Sequence, residues 1–210
     1  TLSDFYGASA IADISYVGTN FAHIASGFVG WPAGTQAGDM AMIMTLSNNN
    51  TNYWTGMSGW SQDSINELLV SNGSGWACLY SKVISAGDVS SPPQWVGGGA
   101  YAGMLVVVYR GGSLVKFKGA TYETGTTITI PGFTKSTGSS RIAAFFVDRT
   151  NSGLYGTPPS GFTERVRDRI TYYNMGVADR AASGYANGTN IVWTAMHNQY
   201  YQDMAVYELI

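Results

Sequence analysis

The stretch "QWVGGGAYAGMLVVVY", residues 94–109, places a Trp and a Tyr fourteen positions apart, with four glycines and an apolar run between them. The stretch "VWTAMHNQYYQDMAVY", residues 192–207, repeats that spacing. Each stretch ends in a short apolar segment of strand length rather than helix length. The recurrence can reflect a repeated fold, a pair of matching binding sites, or chance.

The rest of the chain has the pattern of an all-β protein. Short runs rich in β-branched or aromatic residues alternate with clusters of Gly, Ser, Asn or Pro, and no long stretch keeps a helical spacing. These runs are 38–47, 75–84, 103–112, 126–133, 140–148 and 188–196. They predict an antiparallel β-sandwich, for which 210 residues is an ordinary single-domain length.

A second pair of aromatic residues extends the repeat. Trp60 follows "MSG" and Phe162 follows "PSG", 102 positions later, whereas the Trp–Tyr stretches are offset by 98. The sequence therefore predicts two weakly similar halves, at about 38–112 and 126–210, that differ by a four-residue loop change and supply about four strands each. Large aromatic residues in this arrangement favour core anchors over a pair of matching pockets. The predicted structural anchors are Trp60, Trp95, Tyr109, Phe162, Trp193 and Tyr207.

Residues 1–37 lie outside this repeat and are rich in small residues, with scattered aromatics and no strong period. They can form an extra strand pair or an arm that docks on a neighbour. A segment of this composition has difficulty burying its own aromatics, which favours the arm, with the sandwich domain spanning 38–210.

Composition excludes several partners. Only 11% of the residues are charged and the net charge is −2, so no basic stripe exists to bind nucleic acid. No apolar run approaches membrane-span length, so we expect no membrane insertion. Cys78 is the only cysteine, which excludes an intrachain disulfide and a cysteine-based metal site.

Catalytic patterns are absent from the sequence. Two histidines, His23 and His197, are available as imidazole bases, and neither accompanies a recognisable nucleophile motif. The glycines at 97–99 lack the Lys and the following helix of a phosphate loop. We therefore predict a non-enzymatic protein with no catalytic residue, no cofactor and no His- or Cys-based metal site, while a Ca²⁺ held by Asp and carbonyl oxygens stays open.

One charged stretch, "ERVRDRITYY" at 164–173, places Arg165, Arg167 and Arg169 at alternate positions and hence on one face of a strand. The favoured interpretation is a solvated face or a subunit contact. The alternative is a grip on an acidic sugar, because planar guanidinium groups suit carboxylates.

Aromatic residues in two loops can serve either purpose, as a sugar-stacking platform or as a protein interface, and the interface is favoured. The candidate ligand or interface residues in these loops are Tyr53, Trp54, Tyr200 and Tyr201.

The ordered set of motifs resembles a group of small tailed-phage and prophage virion proteins. In the first half the motifs are "AGDMAMIM", "SGW", "LYSKVISAGD" and "MLVVVYRGG"; in the second they are "TITIPGF", "SRIAAFFVD", "TPPSGFTERV" and "MGVADRAASG". The resemblance covers about residues 38–210. It implies a jelly-roll-like β-sandwich and a place on the virion surface, as a tail, fibre or head-decoration component.

From this resemblance and the low charge we expect a virion structural protein, made in the cytoplasm of a bacterial host. We expect it to act as a homo-oligomer, a trimer, through contacts with itself and other virion proteins. The alternative is a carbohydrate-binding or host-receptor-binding module that uses the Arg strand and the Tyr/Trp loops on a host surface glycan. A cell-wall-degrading enzyme is a third and weaker interpretation.

Overall fold

A computed structural model describes residues 13–23, 27–47, 59–62, 68–69, 76–95, 102–149, 153–154, 156–170, 173–197 and 201–210. Almost all regular structure in these residues is β. The first half contains β1 Ser15–His23, β2 Gly27–Phe28, β3 Met40–Ser47, β4 Ser61–Gln62, β5 Leu68–Leu69, β6 Trp76–Val83, the helix α1 Ala86–Val89, β7 Gln94–Trp95 and β8 Gly103–Arg110. The second half contains β9 Val115–Thr124, β10 Thr127–Ile130, β11 Arg141–Arg149, β12 Thr163–Ile170, β13 Tyr173–Ala181, a 3₁₀ turn at Ala182–Gly184, β14 Ile191–Thr194 and β15 Tyr201–Leu209.

Two antiparallel sheets pack face to face, which confirms the predicted all-β sandwich. The first sheet has the order β1-β8-β3-β6-β4, with β5 also paired to β6. The second has the order β9-β15-β11-β13-β12. Each half of the chain thus forms a sheet of its own, and the jelly-roll detail of the prediction is not established by this strand order.

The two sheets are copies of one plan. Reading along the chain, β1, β3, β4, β6 and β8 occupy the sheet positions that β9, β11, β12, β13 and β15 occupy in the second sheet. Each half also has a separate two-stranded ribbon, β2-β7 in the first and β10-β14 in the second. The edge strands β1 and β9 even share a β-bulge, at Val17 and at Lys118. The duplication thus extends further toward the N-terminus than the aromatic spacing indicates.

Residues 15–23 form a sheet strand and not a docking arm. Strand β1 pairs with β8 from Ser15↔Arg110 to His23↔Gly103. This pairing partly buries the aromatic residues of β1, because Tyr16 and Phe21 pack against the core between the sheets. The repeat therefore divides near 111–114, between β8 and β9, and residues 1–12 of the expected arm lie outside the described residues.

The main core lies between the two sheets. Its members are the inward-facing side chains of both sheets, among them Met42, Leu105, Tyr109, Phe145, Met175 and Tyr207. A second cluster covers the outer face of the first sheet and a third covers the outer face of the second. The central strands β3, β8 and β11 are consequently buried on both faces, which explains why they are continuous apolar runs instead of alternating ones.

Candidate functional site

The predicted structural anchors are distributed between core and rim. Tyr109, Trp193 and Tyr207 are fully buried, while Trp60 and Phe162 are partly buried against the two outer clusters. Trp95 lies on β7 opposite Gly27, and its side chain is outside the described set.

The turns before Trp60 and Phe162 have the same geometry. Gly59 and Gly161 precede these rings at φ of 79° and 77°. An L-residue rarely adopts that backbone conformation, so the Ser-Gly turn delivers the ring in the same way in both halves.

A β-bulge in β12 separates the three arginines that alternate in the sequence. The register of β12 against β13 shifts between Glu164 and Val166, so that Arg165 is the extra residue. Arg165 therefore turns inward, toward the first sheet, whereas Arg167 and Arg169 face outward. The prediction of one Arg face is wrong for this reason: a bulge changes the side-chain alternation on which it depends.

Arg165 takes part in an ionic cluster between the sheets. Its Nε and Nη2 atoms each lie 2.9 Å from a carboxylate oxygen of Asp179, and its guanidinium stacks on the Tyr16 ring of β1 at 4.2 Å. Arg141 donates to the same carboxylate at 2.6 Å and to the backbone oxygen of Ile14. Burial, and then the Asp179 charge, hold the pKa of the Tyr109 hydroxyl well above its usual value. The contacts with Ile14 and Tyr16 connect this cluster to the first sheet. Because both Nε and Nη2 of Arg165 bind Asp179, its guanidinium has little capacity left to bind a ligand.

The remaining predicted ligand residues do not form a described platform. Arg167 donates to the backbone oxygen of Gly156 and lies 3.5 Å from Glu164. Tyr201 begins β15, with its side chain outside the described set, and Tyr53, Trp54 and Tyr200 lie outside the described residues altogether.

An open cleft of about 570 Å³ lies beside the β10-β14 ribbon, outside the second sheet. We call it the ribbon cleft. Its volume is typical of small-molecule sites. The lining combines apolar and ring surfaces with hydroxyl and amide groups: Thr157, Pro158, Pro159, Ser160, Phe162, Arg180, Tyr185, Thr189, Asn190, Ile191, Val192 and Thr194.

Among the described residues of that lining, Arg180 on β13 is the single charged side chain. Its guanidinium donates to the backbone oxygens of Ser160, at 3.4 Å, and Gly184. It lies over the Phe162 ring, 5.5 Å from the ring centre. Within the described part of the chain, no carboxylate pairs with it. The arginine is therefore held in place by neutral oxygens and keeps an uncompensated positive charge at the cleft.

The corresponding cation of the first half is neutralised. Lys82 lies under Gly59 as Arg180 lies under Gly161. The Lys82 ammonium binds the Asp88 carboxylate at 2.7 Å, and Asp88 is held by the Ser85 capping box of α1. Hydrogen bonds from Lys82 and Ser85 lower the pKa of Asp88 to about 2. Sequence reasoning missed Arg180, although its signal was present: "YSKVISAGD" and "MGVADRAASG" align a cation in both halves, with an acid following in the first half alone.

Two buried carboxyl groups lie at one end of the second sheet, on opposite faces. Burial raises the pKa of Asp148 to about 7, although the backbone N–H of His197 donates to it at 3.3 Å. Burial raises the pKa of Asp203 to about 8. Asp203 Oδ2 has no hydrogen-bond partner among the described residues. Asp203 therefore favours the protonated form at neutral pH, whereas Asp148 is about half protonated there.

The histidines are not assembled into a described catalytic group. His23 lies 3.7 Å from Asp168 across the open edge between β1 and β12. Within the described residues, no group of three or more His, Cys, Asp or Glu side chains could hold a metal ion. No helix of the described chain is long and apolar enough to cross a membrane.

Comparison with known proteins gave no match among family models, curated proteins or solved structures.

Proposed function

We propose that the protein is a non-enzymatic structural component of a tailed-phage-like virion, placed on its surface and acting through contacts with copies of itself and with other virion proteins. Three features support the proposal: the ordered motifs, the low charge of the chain, and the contacts that Arg141 and Arg165 make across to the first sheet, with the backbone oxygen of Ile14 and the Tyr16 ring. A duplicated sandwich with a continuous core between its sheets suits a role in assembly.

The observation that carries the proposal is the edge of the second sheet. Strand β9 has ten residues and pairs only with β15 among the described strands. Leu114, just before it, is 50% exposed, and Phe117 on it is 41% exposed. Exposed apolar side chains on an open edge are typical of an interaction surface. The bulge at Lys118 blunts strand addition, so contact here is made by side chains.

Native mass spectrometry of the full chain tests this contact. We expect a homo-oligomer, a trimer, that the Leu114→Glu and Phe117→Glu variants convert to monomer. Val83→Glu is the matched control, because Val83 is 44% exposed at the end of β6, in the other half of the molecule. The contact proposal fails if the wild-type chain is monomeric at high concentration, or if the edge variants and the control behave alike.

The virion role is tested separately on particles purified from the source of this sequence. An antibody raised against the chain should label the particle surface in immunogold electron microscopy. Purified particles that contain no trace of the chain by mass spectrometry would refute the virion role.

A second candidate function, a carbohydrate- or receptor-binding module, is favoured by the ribbon cleft. Its ring surfaces, hydroxyl groups and amide group are the lining that a sugar requires. The cleft supports this candidate better than the predicted Arg strand does, since Arg165 is committed to Asp179.

A further inference from the structure

We infer that the ribbon cleft binds a carboxylate-bearing sugar, with the Arg180 guanidinium receiving the carboxylate. This inference rests on the second proposed function and names its ligand class and its central residue.

The charge at the cleft selects an anion. Arg180 has five N–H donors, and the described structure assigns two backbone oxygens to them. Its Nε atom is buried, so the donors that remain for a ligand are the second N–H groups of Nη1 and Nη2. A guanidinium that stacks on Phe162 and lacks a carboxylate partner is pre-oriented for a planar, two-oxygen anion.

The internal duplication strengthens this argument. The cation in the same place in the first half, Lys82, is satisfied by Asp88 from its own chain at 2.7 Å. Arg180 has no such partner in the described residues. In the first half, the Asp88 carboxylate neutralises the cation. In the second half, the carboxylate of a ligand can therefore take that place.

The rest of the lining points to a sugar. Apolar surface from the partly exposed Pro158, Phe162 and Val192 suits the C–H face of a pyranose ring. The hydroxyl groups of Ser160 and Thr194 can exchange hydrogen bonds with its hydroxyls. The volume of about 570 Å³ accommodates a short oligosaccharide. A simple inorganic anion would leave most of this lining unused.

Isothermal titration calorimetry with 3′-sialyllactose and trigalacturonate, each beside neutral lactose, tests the inference on the full chain. We expect an acidic probe to bind and lactose to bind at least tenfold more weakly, since one charged hydrogen-bond pair is worth about a factor of ten or more. Added salt should weaken the acidic probe because the site is open to solvent.

Three variants localise the site. Arg180→Gln should raise the Kd at least about tenfold. Thr194→Trp, at an exposed position that would fill the cleft, should block binding without disturbing the core. Lys82→Gln, the same charge change at the corresponding place in the first half, should leave the Kd unchanged. Circular dichroism of each variant should match the wild type, which shows that a change in Kd does not come from loss of the fold.

The outcomes separate the inference from the function on which it rests. If the acidic and neutral probes bind equally well and Thr194→Trp abolishes the binding of both, the cleft is a sugar-binding site. The claim that it selects a carboxylate would then be overturned. A fourth variant, Arg167→Gln, tests the outer face of β12. Loss of binding in this variant, with binding by Arg180→Gln unaffected, would move the site to that face and overturn the cleft. No binding of any probe would overturn both the inference and the second proposed function.

Discussion

Replacing Asp203 by Asn should stabilise the protein at alkaline pH. Asp203 is buried on the inner face of β15, and burial raises its pKa from 3.8 to about 8. Between these values the folded state holds a proton that the unfolded state has lost. The free energy of unfolding therefore falls as pH rises from about 4 to 8 and levels off above that range.

The size of the effect follows from the pKa shift. About four units at about 1.4 kcal/mol each give a penalty on the order of 5 kcal/mol at pH 9, as an upper figure. For a chain of this length that corresponds to a Tm increase on the order of 10 °C in the variant at pH 9. Near pH 4 the two proteins should have almost the same stability, because the carboxyl group of the wild type is then protonated in the folded state.

Urea unfolding followed by tryptophan fluorescence, from pH 4 to pH 9, measures the difference. Asp168→Asn is the control, since Asp168 is half exposed on the edge strand β12 and should show little pH-dependent gain. The variant keeps a smaller slope from Asp148, whose pKa of about 7 has the same cause and sign. If Asp203→Asn destabilises the protein equally at all pH values, the carboxylate is ionised and paired, and the reasoning is refuted.

Three further predictions concern charge and close packing. Burial opposes ionisation of Glu208, but hydrogen bonds from neighbouring Lys and Ser groups outweigh it and lower its pKa from 4.5 to about 2. In urea unfolding, Glu208→Gln should therefore lower the free energy of unfolding by about 3 kcal/mol at pH 7 and by almost nothing near pH 2. Asp179→Asn removes the carboxylate that pairs with Arg141 and Arg165 between the sheets. It should lower the free energy of unfolding by about 3–5 kcal/mol in urea at pH 7. A loss below about 1 kcal/mol would show that water already screens the cluster. Gly132→Ala places a Cβ 2.0 Å from an opposing backbone carbon and should lower the Tm by several degrees in calorimetry, since backbone cannot move aside as a flexible side chain can; an unchanged Tm would contradict the close approach.

The repeat and the fold class could be predicted from local patterns. The Trp–Tyr spacing and the paired Ser-Gly turns reflect two copies of one strand plan, and a strand pattern depends on neighbouring residues in the chain. The same reasoning misplaced the N-terminal segment, because Tyr16 and Phe21 become partly buried when β1 pairs with β8, about ninety positions away. No local signal in residues 15–23 reveals that partner.

For the site residues too, local pattern predicted some features and tertiary structure decided the others. Alternation predicted that Arg165, Arg167 and Arg169 share a face, and one bulge, set by pairing with β13, turned Arg165 inward to Asp179. The aligned segments place a cation at Arg180 as at Lys82, but the alignment cannot show whether a carboxylate from elsewhere in the chain pairs with it. Only the fold shows that no described carboxylate does.

Composition and residue order alone therefore determined that this chain is a duplicated, antiparallel β protein with few charges and large aromatic anchors. Which arginine is neutralised, which carboxyl group is buried and where a cleft opens were decided by tertiary structure. The physical reason is that strand propensity acts between neighbours in sequence, whereas burial, ion pairing and cavity shape depend on groups that only the packed sheets bring together.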